Sequence, residues 1–257
     1  MKKNYMLNQF LELTKKIEGR ILFFLLILLA FTSNTGFSQT TYTFTNAGAV
    51  GRTGPNQAQV NAAYLATNLN GSVTSIGGLG IQQFTIPLAG QYRIETRGAQ
   101  GAAAGPAAGG LGARMIGDFT FTVGTVLKIV VGQQGIGSVS GAGGGGGGSY
   151  VALAAGNVPL CVAGGGSGAG DVSFPGTGAP TGSLGVPGGS CPGNAGVTGF
   201  GGGDASACGN GTGGAGGFFG DGASASSWGV QRGFGFVNGS AGGLSSSGGR
   251  DGGFGGG

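Results

Sequence analysis

Apolar and polar side chains alternate in three short segments of the chain, and this pattern is typical of strands with one buried face. The three segments are residues 42–45, 92–96 and 118–123. Residues 126–131 are almost continuously apolar over the length of a strand, which predicts a central strand, and Lys128 within it indicates an open face or an edge. Val158–Ala163 predicts one more short buried strand between runs of glycine.

One segment between the first two predicted strands has a helical pattern instead. Pro55 suits the first turn of a helix, and the apolar residues Val60, Ala63 and Tyr64 follow it at helical spacing. Together the elements predict an all-β fold, a β-sandwich with one short helix packed on it.

Glycine dominates the second part of the chain. Residues 141–257 hold 46 of the 67 glycines, beginning with the run 143–148. Each glycine loses roughly 0.5–1 kcal/mol more than alanine in backbone entropy on ordering, so this region is either disordered or held by unusual packing. Flexible linkers are poor in aromatic residues, whereas nine aromatics interrupt these glycines and predict buried anchors. The nine are Tyr150, Phe174, Phe200, Phe218, Phe219, Trp228, Phe234, Phe236 and Phe254.

Glycine-rich segments have one ordered alternative to a flexible coil. Extended left-handed chains of the polyproline II type make no internal hydrogen bonds, so their peptide groups must bind water or neighbouring chains. Because glycine lets backbones approach from every side, several such chains could form a hydrogen-bonded lattice that offsets the entropy loss. No strict Gly-X-Y repeat runs through residues 141–257, which excludes a collagen triple helix. Composition alone leaves lattice and disorder nearly balanced.

The first 38 residues predict a secretory signal peptide. Basic residues extend to Arg20, residues 21–31 are apolar, and small and polar residues follow up to a cleavage point between Ser38 and Gln39. The alternative is a membrane anchor, but eleven apolar residues are about half of the ~20 that span a bilayer. The predicted organisation is therefore a signal peptide (1–38), a β-sandwich part (39–140) and a glycine-rich part (141–257), in a protein that is secreted or at the cell surface.

The charges of the chain are few. Twelve Lys and Arg residues face eight Asp and Glu residues, and five of the basic ones lie in the first twenty positions, so the remainder is close to neutral. Such a chain lacks the clustered basic residues that neutralise phosphates, and nucleic acid is not expected as a partner.

Residues that carry catalytic chemistry are scarce. The chain has no histidine, which excludes Ser-His and Cys-His nucleophiles and the commonest metal ligand. No lysine follows the glycine run 143–148, so it does not resemble a phosphate-binding loop. The single acids beside glycines or in strands are expected to form turns or solvated faces and not a catalytic pair. We therefore expect no enzymatic activity, no catalytic residue, no metal site and no cofactor.

Two of the three cysteines are candidates for a disulfide, because export leads to an oxidising compartment. Cys191 and Cys208 lie 17 positions apart in turn-like surroundings, and a bridge between them would contribute about 3 kcal/mol in the chain-entropy model. The alternative, that both thiols are free, has equal weight.

Several short segments of the sequence match segments of a known family, in the same order along the chain. They are residues 42–45, 54–59, 92–94, 127–135, 143–151 and 159–166. In these segments the chain resembles the extracellular glycine-rich region of the anaplastic lymphoma kinase and leukocyte tyrosine kinase receptors, and its relatives in secreted bacterial proteins. Beyond Gly166 only the composition and the closing residues 252–257 are similar.

The resemblance implies a fold and a class of function. The fold is a tumour-necrosis-factor-like sandwich into which packed polyglycine helices are inserted. The function is that of a non-catalytic secreted or cell-surface module, structural, adhesive or ligand-binding, with an unknown extracellular protein or surface ligand as partner. It would meet a membrane only through export or through a missing C-terminal part. Two alternatives remain: the ligand-binding ectodomain of a receptor tyrosine kinase-like protein, and a flexible glycine-rich spacer. The chain contains no kinase motif.

The chain also departs from the family pattern. Ala47 and Val60 stand where the animal receptors have two cysteines, so one family disulfide is absent. Cys161 stands where the family has aliphatic residues, and we expect it to be a small buried apolar residue. The family closes its sandwich with strands after the glycine block, whereas this chain ends at Gly257 within the block. We therefore expect a C-terminally truncated module with an open sheet edge, or a strand supplied by another chain.

Overall fold

A computed structural model describes residues 39–139, 141–170, 172–182, 184–185, 194–197, 199–204, 213–225, 229–246 and 250–257. Before residue 39 it describes only positions 6, 12 and 15–17, all helical. The predicted signal peptide and Ser38 therefore lie largely outside the described residues, and Gln39 is exposed. The chain divides into Met1–Thr41 and Tyr42–Gly257, and the elements below belong to the second unit. No helix in the described part of the chain is long and apolar enough to cross a membrane.

A five-stranded antiparallel sheet is the larger layer of the fold. Its spatial order is β1-β2-β5-β6-β7, with β5 in the middle. The strands are β1 (Val73–Ile76), β2 (Ile81–Thr85), β5 (Val126–Val130), β6 (Ser149–Leu153) and β7 (Val158–Ala163). The predicted central strand is thus confirmed. A strand at Val158–Ala163 is confirmed as well, but it lies at the sheet edge and only Cys161 and Ala163 in it are buried. Lys128 does not mark an edge: β5 pairs on both sides, and the Lys128 Nζ donates to Asn157 Oδ1 at 2.8 Å.

A two-stranded antiparallel sheet forms the smaller layer. It consists of β3 (Gly90–Arg97) and β4 (Arg114–Phe121), with Arg97 opposite Arg114. β3 packs over β6 and β7, and β4 packs over β7. The fold is therefore all-β with two antiparallel sheets. The strand predicted over residues 92–96 is confirmed. The one predicted over 118–123 is confirmed only for residues 118–121, the second half of β4, because the strand ends at Phe121.

One α-helix, α1 (Gln57–Tyr64), packs on the larger sheet and confirms the predicted helix. It begins with a capping box: the Gln59 N–H donates to Asn56 Oδ1 at 3.0 Å, and the Asn56 N–H donates to Gln59 Oε1 at 2.9 Å. Val60 and Tyr64 are the buried residues of this helix. Two 3₁₀ turns, Ala155–Asn157 and Phe236–Asn238, are the other helical elements described after residue 39.

Residues 42–45 do not form the predicted strand. The backbone N–H of Thr45 donates to the Tyr64 hydroxyl at 2.9 Å, and the Phe44 ring lies 5.4 Å from that of Phe84. The alternation of this segment reflects one face packed on the helix and on β2. The alternating pattern therefore predicted correctly that one face of residues 42–45 is buried. It was wrong in predicting a strand that pairs with a neighbour.

The larger sheet is buried on both faces. A first core lies between this sheet, the smaller sheet and the helix, and includes Ile129 and Val151. A second core lies on the opposite face and includes their neighbours Val130 and Tyr150. Because successive residues of a strand point to opposite faces, burial of both faces explains why residues 126–131 are nearly continuously apolar.

Four of the nine glycine-region aromatics are the buried anchors that the sequence predicts. Tyr150, Phe218, Phe236 and Phe254 belong to the second core. The Phe218 and Phe236 rings stack with centroids 4.5 Å apart, and Tyr150 meets both edge-on. The prediction is wrong for three others and untested for Trp228, which lies outside the described residues. The three exposed rings are Phe174 (49 %), Phe200 (56 %) and Phe219 (46 %). Phe234 is half-buried.

Glycine-rich segments extend from the strand ends and run beside one another without forming strands. The N–H groups of Gly98 and Gly101 donate to the neighbouring segment 110–113, whereas those of Ala99 and Ala102 donate to the segment 144–147. Donors to one neighbour are thus three residues apart. In a β-ladder the repeat is two residues, so these segments have a different periodicity from the strands.

The run 143–148 lies among several such segments. Gly143 and Gly146 donate to the carbonyls of Ala169 and Gly166, and Gly144 and Gly147 donate to the segment 133–136. No glycine of this run has a φ in the left-handed region. Glycine is required here for space, because a Cβ on Gly146 would overlap the Ala99 carbonyl oxygen. Absence of a side chain therefore matters more than conformational freedom.

The predicted division at residue 140 is not tested as a domain boundary and stays a prediction. The larger sheet itself combines β1, β2 and β5 with β6 and β7, which come after that residue.

Candidate interaction surface

The outer side of the smaller sheet carries a cluster of charged residues that we call the charged face. It consists of Arg93, Glu95, Arg97, Arg114 and Asp118. Alternation along β3 and β4 brings these side chains to one side, while Tyr92, Ile94, Met115 and Phe119 pack against the first core.

Two cross-strand ion pairs organise the charged face. The Arg93 guanidinium donates from Nε and Nη2 to Asp118 Oδ1 and Oδ2 at 2.8 and 2.9 Å. The Arg114 guanidinium binds Glu95 in the same bidentate manner, at 2.9 and 2.8 Å. Arg97 Nε donates to Glu95 Oε1 at 2.7 Å, so Glu95 lies between two arginines.

These pairs keep both carboxylates ionised. Hydrogen bonds from Arg114 and then Arg97 lower the pKa of Glu95 to about 2. The hydrogen bond from Arg93 lowers the pKa of Asp118 below its ordinary value. Since all five groups are exposed to solvent, the pairs contribute little to stability. Their consequence is a fixed pattern of positive and negative charge on the surface.

Two other described acids, Asp221 and Asp251, accept hydrogen bonds from backbone N–H groups. Asp221 Oδ1 accepts from the Gly235 N–H and from Asn238 Nδ2, both at 2.8 Å. Asp251 Oδ1 accepts from the Ser245 N–H at 2.8 Å. Both carboxylates thus connect to residues 6 to 17 positions away, which is not the local turn that the sequence predicts. Within the described ranges, no group of three or more His, Cys, Asp or Glu side chains could hold a metal ion.

The cysteines divide between the described and the undescribed parts of the chain. Cys161 is buried in the first core, which confirms the expectation for it, and its Sγ lies 3.2 Å from Thr96 Oγ1. Cys191 and Cys208 lie outside the described residues, so the disulfide between them stays a prediction.

Both edges of the larger sheet are protected against strand addition. At the β1 edge, Gln57 Nε2 donates to the Val73 carbonyl at 3.1 Å, and the Ser75 N–H donates to Gln57 Oε1 at 2.7 Å. The side-chain amide thus takes the place of a neighbouring strand's peptide group. At the other edge, β7 contains Pro159, which has no N–H to offer a partner.

The outer edge of β4 differs from these two. Among the described residues, β3 is the only strand that pairs with β4. Ile116, which lies between Arg114 and Asp118 on the outer side of β4, is 47 % exposed. The charged face and this edge together are the candidate interaction surface. None of the sequence patterns described above predicts this surface, although the i, i+2 spacing of Arg93, Glu95 and Arg97 is a signal for it.

The chain is similar in part to a known receptor. No protein-family model matches the chain. The mouse (Mus musculus) leukocyte tyrosine kinase receptor is 38 % identical over 100 residues, which cover 37 % of this chain and 11 % of the receptor. The chain is therefore similar to a small part of that receptor, in agreement with the resemblance that the matching sequence segments indicate.

Proposed function

We propose that this chain is a non-catalytic exported module, secreted or held at the cell surface, that serves as a rigid structural, adhesive or ligand-binding part of an extracellular protein. The similarity to part of a receptor supports an extracellular role. The observation that carries the proposal is the three-residue spacing of hydrogen bonds among the glycine-rich segments. It favours an ordered framework over a flexible spacer.

In detail, we propose a tumour-necrosis-factor-like sandwich with an inserted bundle of polyglycine II helices. Such helices have three residues per turn and direct successive N–H groups to three sides. The same spacing recurs late in the chain: Gly214 and Gly217 donate to Ala223 and Gly220, and their own carbonyls accept from Gly233 and Phe236. Two separate groups of segments thus support one type of packing.

Rigidity follows from the continuity of these segments with the strands. Segment 98–102 continues β3, segment 132–136 continues β5, and segment 164–169 continues β7. Each added backbone hydrogen bond contributes about 0.5–1.5 kcal/mol net, and the bonds join neighbours on several sides. The bundle would therefore extend the sheets as a stiff body and hold the turns at its far end in fixed positions.

Hydrogen exchange on the exported full-length chain tests this proposal. We expect amides of residues 143–148 and 164–169 to exchange far more slowly than their intrinsic rates, measured on the same chain in denaturant. Exchange near the intrinsic rate throughout residues 141–166 would refute the bundle and favour the flexible spacer.

A second candidate is the ligand-binding ectodomain of a receptor tyrosine kinase-like protein. The observation that favours it is the match to the mouse receptor. The two candidates differ in the complete gene, where the receptor alternative requires a membrane span and a kinase domain in the same reading frame. A gene that encodes neither would eliminate this second candidate and leave the first untouched.

A further inference from the structure

We propose that two copies of this chain associate through β4, which pairs antiparallel with the β4 of the second copy so that Ile116 lies opposite its own counterpart. The two smaller sheets then become one four-stranded sheet. This association goes beyond the proposed function and does not depend on it.

The two sheets of the fold differ in size, and β4 is an outer strand of the smaller one. Five strands face two, and the inward side chains Tyr92, Ile94, Met115 and Phe119 are only half-buried. β4 packs over β7, the last strand of the larger sheet, and among the described residues β3 is the only strand that pairs with it. Gln57 and Pro159 protect the edges of the larger sheet, whereas β4 presents eight residues without such protection in the described chain.

The charges of β4 select a second copy as the partner. In an antiparallel pair centred on Ile116, residues equally far before and after this position face each other. Arg114 then lies opposite the second copy's Asp118, and Asp118 opposite the second copy's Arg114. The half-exposed Ile116 side chains meet at the two-fold axis, where their contact removes apolar surface from water.

Other registers of the same edge are less favourable. Centring the pair on Arg114 or Asp118 places identical charges opposite each other, which is destabilising. Centring it on Gly117 leaves Ile116 opposite Asp118 and Arg114 opposite Thr120. Only the register at Ile116 matches each β4 charge with its opposite.

Charge reversal with complementation tests the proposal directly. R114D places Asp opposite Asp118, and D118R places Arg opposite Arg114, so each variant alone repels its own copy. An equimolar mixture restores both opposite-charge pairs in the heterodimer. Sedimentation at low salt should show a wild-type dimer, a dissociation constant at least about tenfold higher for each variant alone, and recovery in the mixture. R232D, at an exposed arginine in a glycine-rich segment outside the smaller sheet, should leave the dimer unchanged.

Cysteine trapping tests the register. I116C should form a disulfide between copies under oxidising conditions, beyond the background of the wild-type chain on a non-reducing gel. T120C lies on the same side of β4 but four residues from the axis, and should not cross-link. A wild-type chain that remains monomeric at ~100 μM would overturn the proposal, because even a weak standard interface associates there. Failure of the mixture to recover, or equal trapping of both variants, would overturn it as well.

Discussion

Gln57, the first residue of helix α1, completes the edge of β1 at Ser75. The Ser75 N–H donates to Gln57 Oε1 at 2.7 Å, and the other half of the amide donates to the Val73 carbonyl. One side chain thus satisfies a donor and an acceptor that an edge strand otherwise presents to solvent or to another chain. Helix α1 thereby hinders the addition of a further strand at the β1 edge of the larger sheet.

Replacing Gln57 by alanine should expose this edge. We expect a loss of about 1 kcal/mol in the free energy of unfolding, because two partly solvated hydrogen bonds are lost, together with faster aggregation. Urea unfolding and light scattering measure the two effects. Asn61→Ala is the matched control, since it removes only the contact between Gln57 Nε2 and Asn61 Oδ1. Equal aggregation of the two variants would contradict the protective role.

Adding one methyl group to the glycine run should be severely destabilising. In Gly146→Ala the Cβ would overlap the Ala99 carbonyl oxygen, so that two backbones must separate. We expect a loss of about 3 kcal/mol or more. At Gly182 nothing lies within 4 Å of the added Cβ and φ is not left-handed, so Gly182→Ala should be neutral or slightly stabilising. Similar unfolding midpoints for both variants would mean that the run 143–148 is not packed as described.

A buried hydrogen-bond network fixes the first residues of the fold to the helix. The Tyr64 hydroxyl donates to Gln82 Oε1 at 2.6 Å and accepts from the Thr45 N–H, while Gln82 Nε2 donates to the Thr45 carbonyl at 2.7 Å. Tyr64→Phe leaves the fully buried Gln82 amide without its donor and should cost about 2 kcal/mol. In a double-mutant cycle, the further change Gln82→Met should cost less in the Tyr64→Phe variant than in the wild type. Additive losses would show that the two side chains are not coupled.

Ser240 is a site where the native residue is unfavourable. It is fully buried at φ +59°, and its Oγ has no hydrogen-bond partner in the described part of the chain. Ser240→Gly should raise the free energy of unfolding by about 1 kcal/mol, because relief of the strain and of the buried hydroxyl exceeds the added chain entropy. Ser240→Ala keeps the strain and should fall between the two in thermal unfolding. A glycine variant less stable than the wild type would contradict this explanation.

The charged face makes a pH prediction for Glu95. Its pKa falls from 4.5 to about 2 in the folded protein, so its stabilising contribution is present above pH 4.5 and is lost as pH falls towards 2. The contribution is small because the pairs are exposed. Stability curves of the wild type and Glu95→Gln should therefore differ slightly at neutral pH and converge near pH 2. An NMR titration of the Glu95 carboxyl with a midpoint at or above 4.5 would contradict the pairing with Arg114 and Arg97.

Local pattern predicted those elements whose side chains carry a clear period. β3 and the helix were found because their side chains repeat every two or every 3.6 residues, and β5 and β7 because each is an apolar run of strand length. β1 has only four residues, and β6 follows directly on the glycine run, so neither has enough flanking pattern. The charged face was missed because Arg114 lies before the alternating part of its strand.

By itself the sequence determined the all-β class, the helix, the burial of Cys161 and the need for anchors among the glycines, because each depends on the chemistry of a residue and its near neighbours. Only the tertiary structure decided which aromatics are anchors: Phe218 and Phe219 are adjacent in sequence, but only Phe218 belongs to the second core. It also decided which backbones the glycines of run 143–148 touch. A glycine has no side chain that could encode a partner, so its contacts depend on how distant segments are brought together.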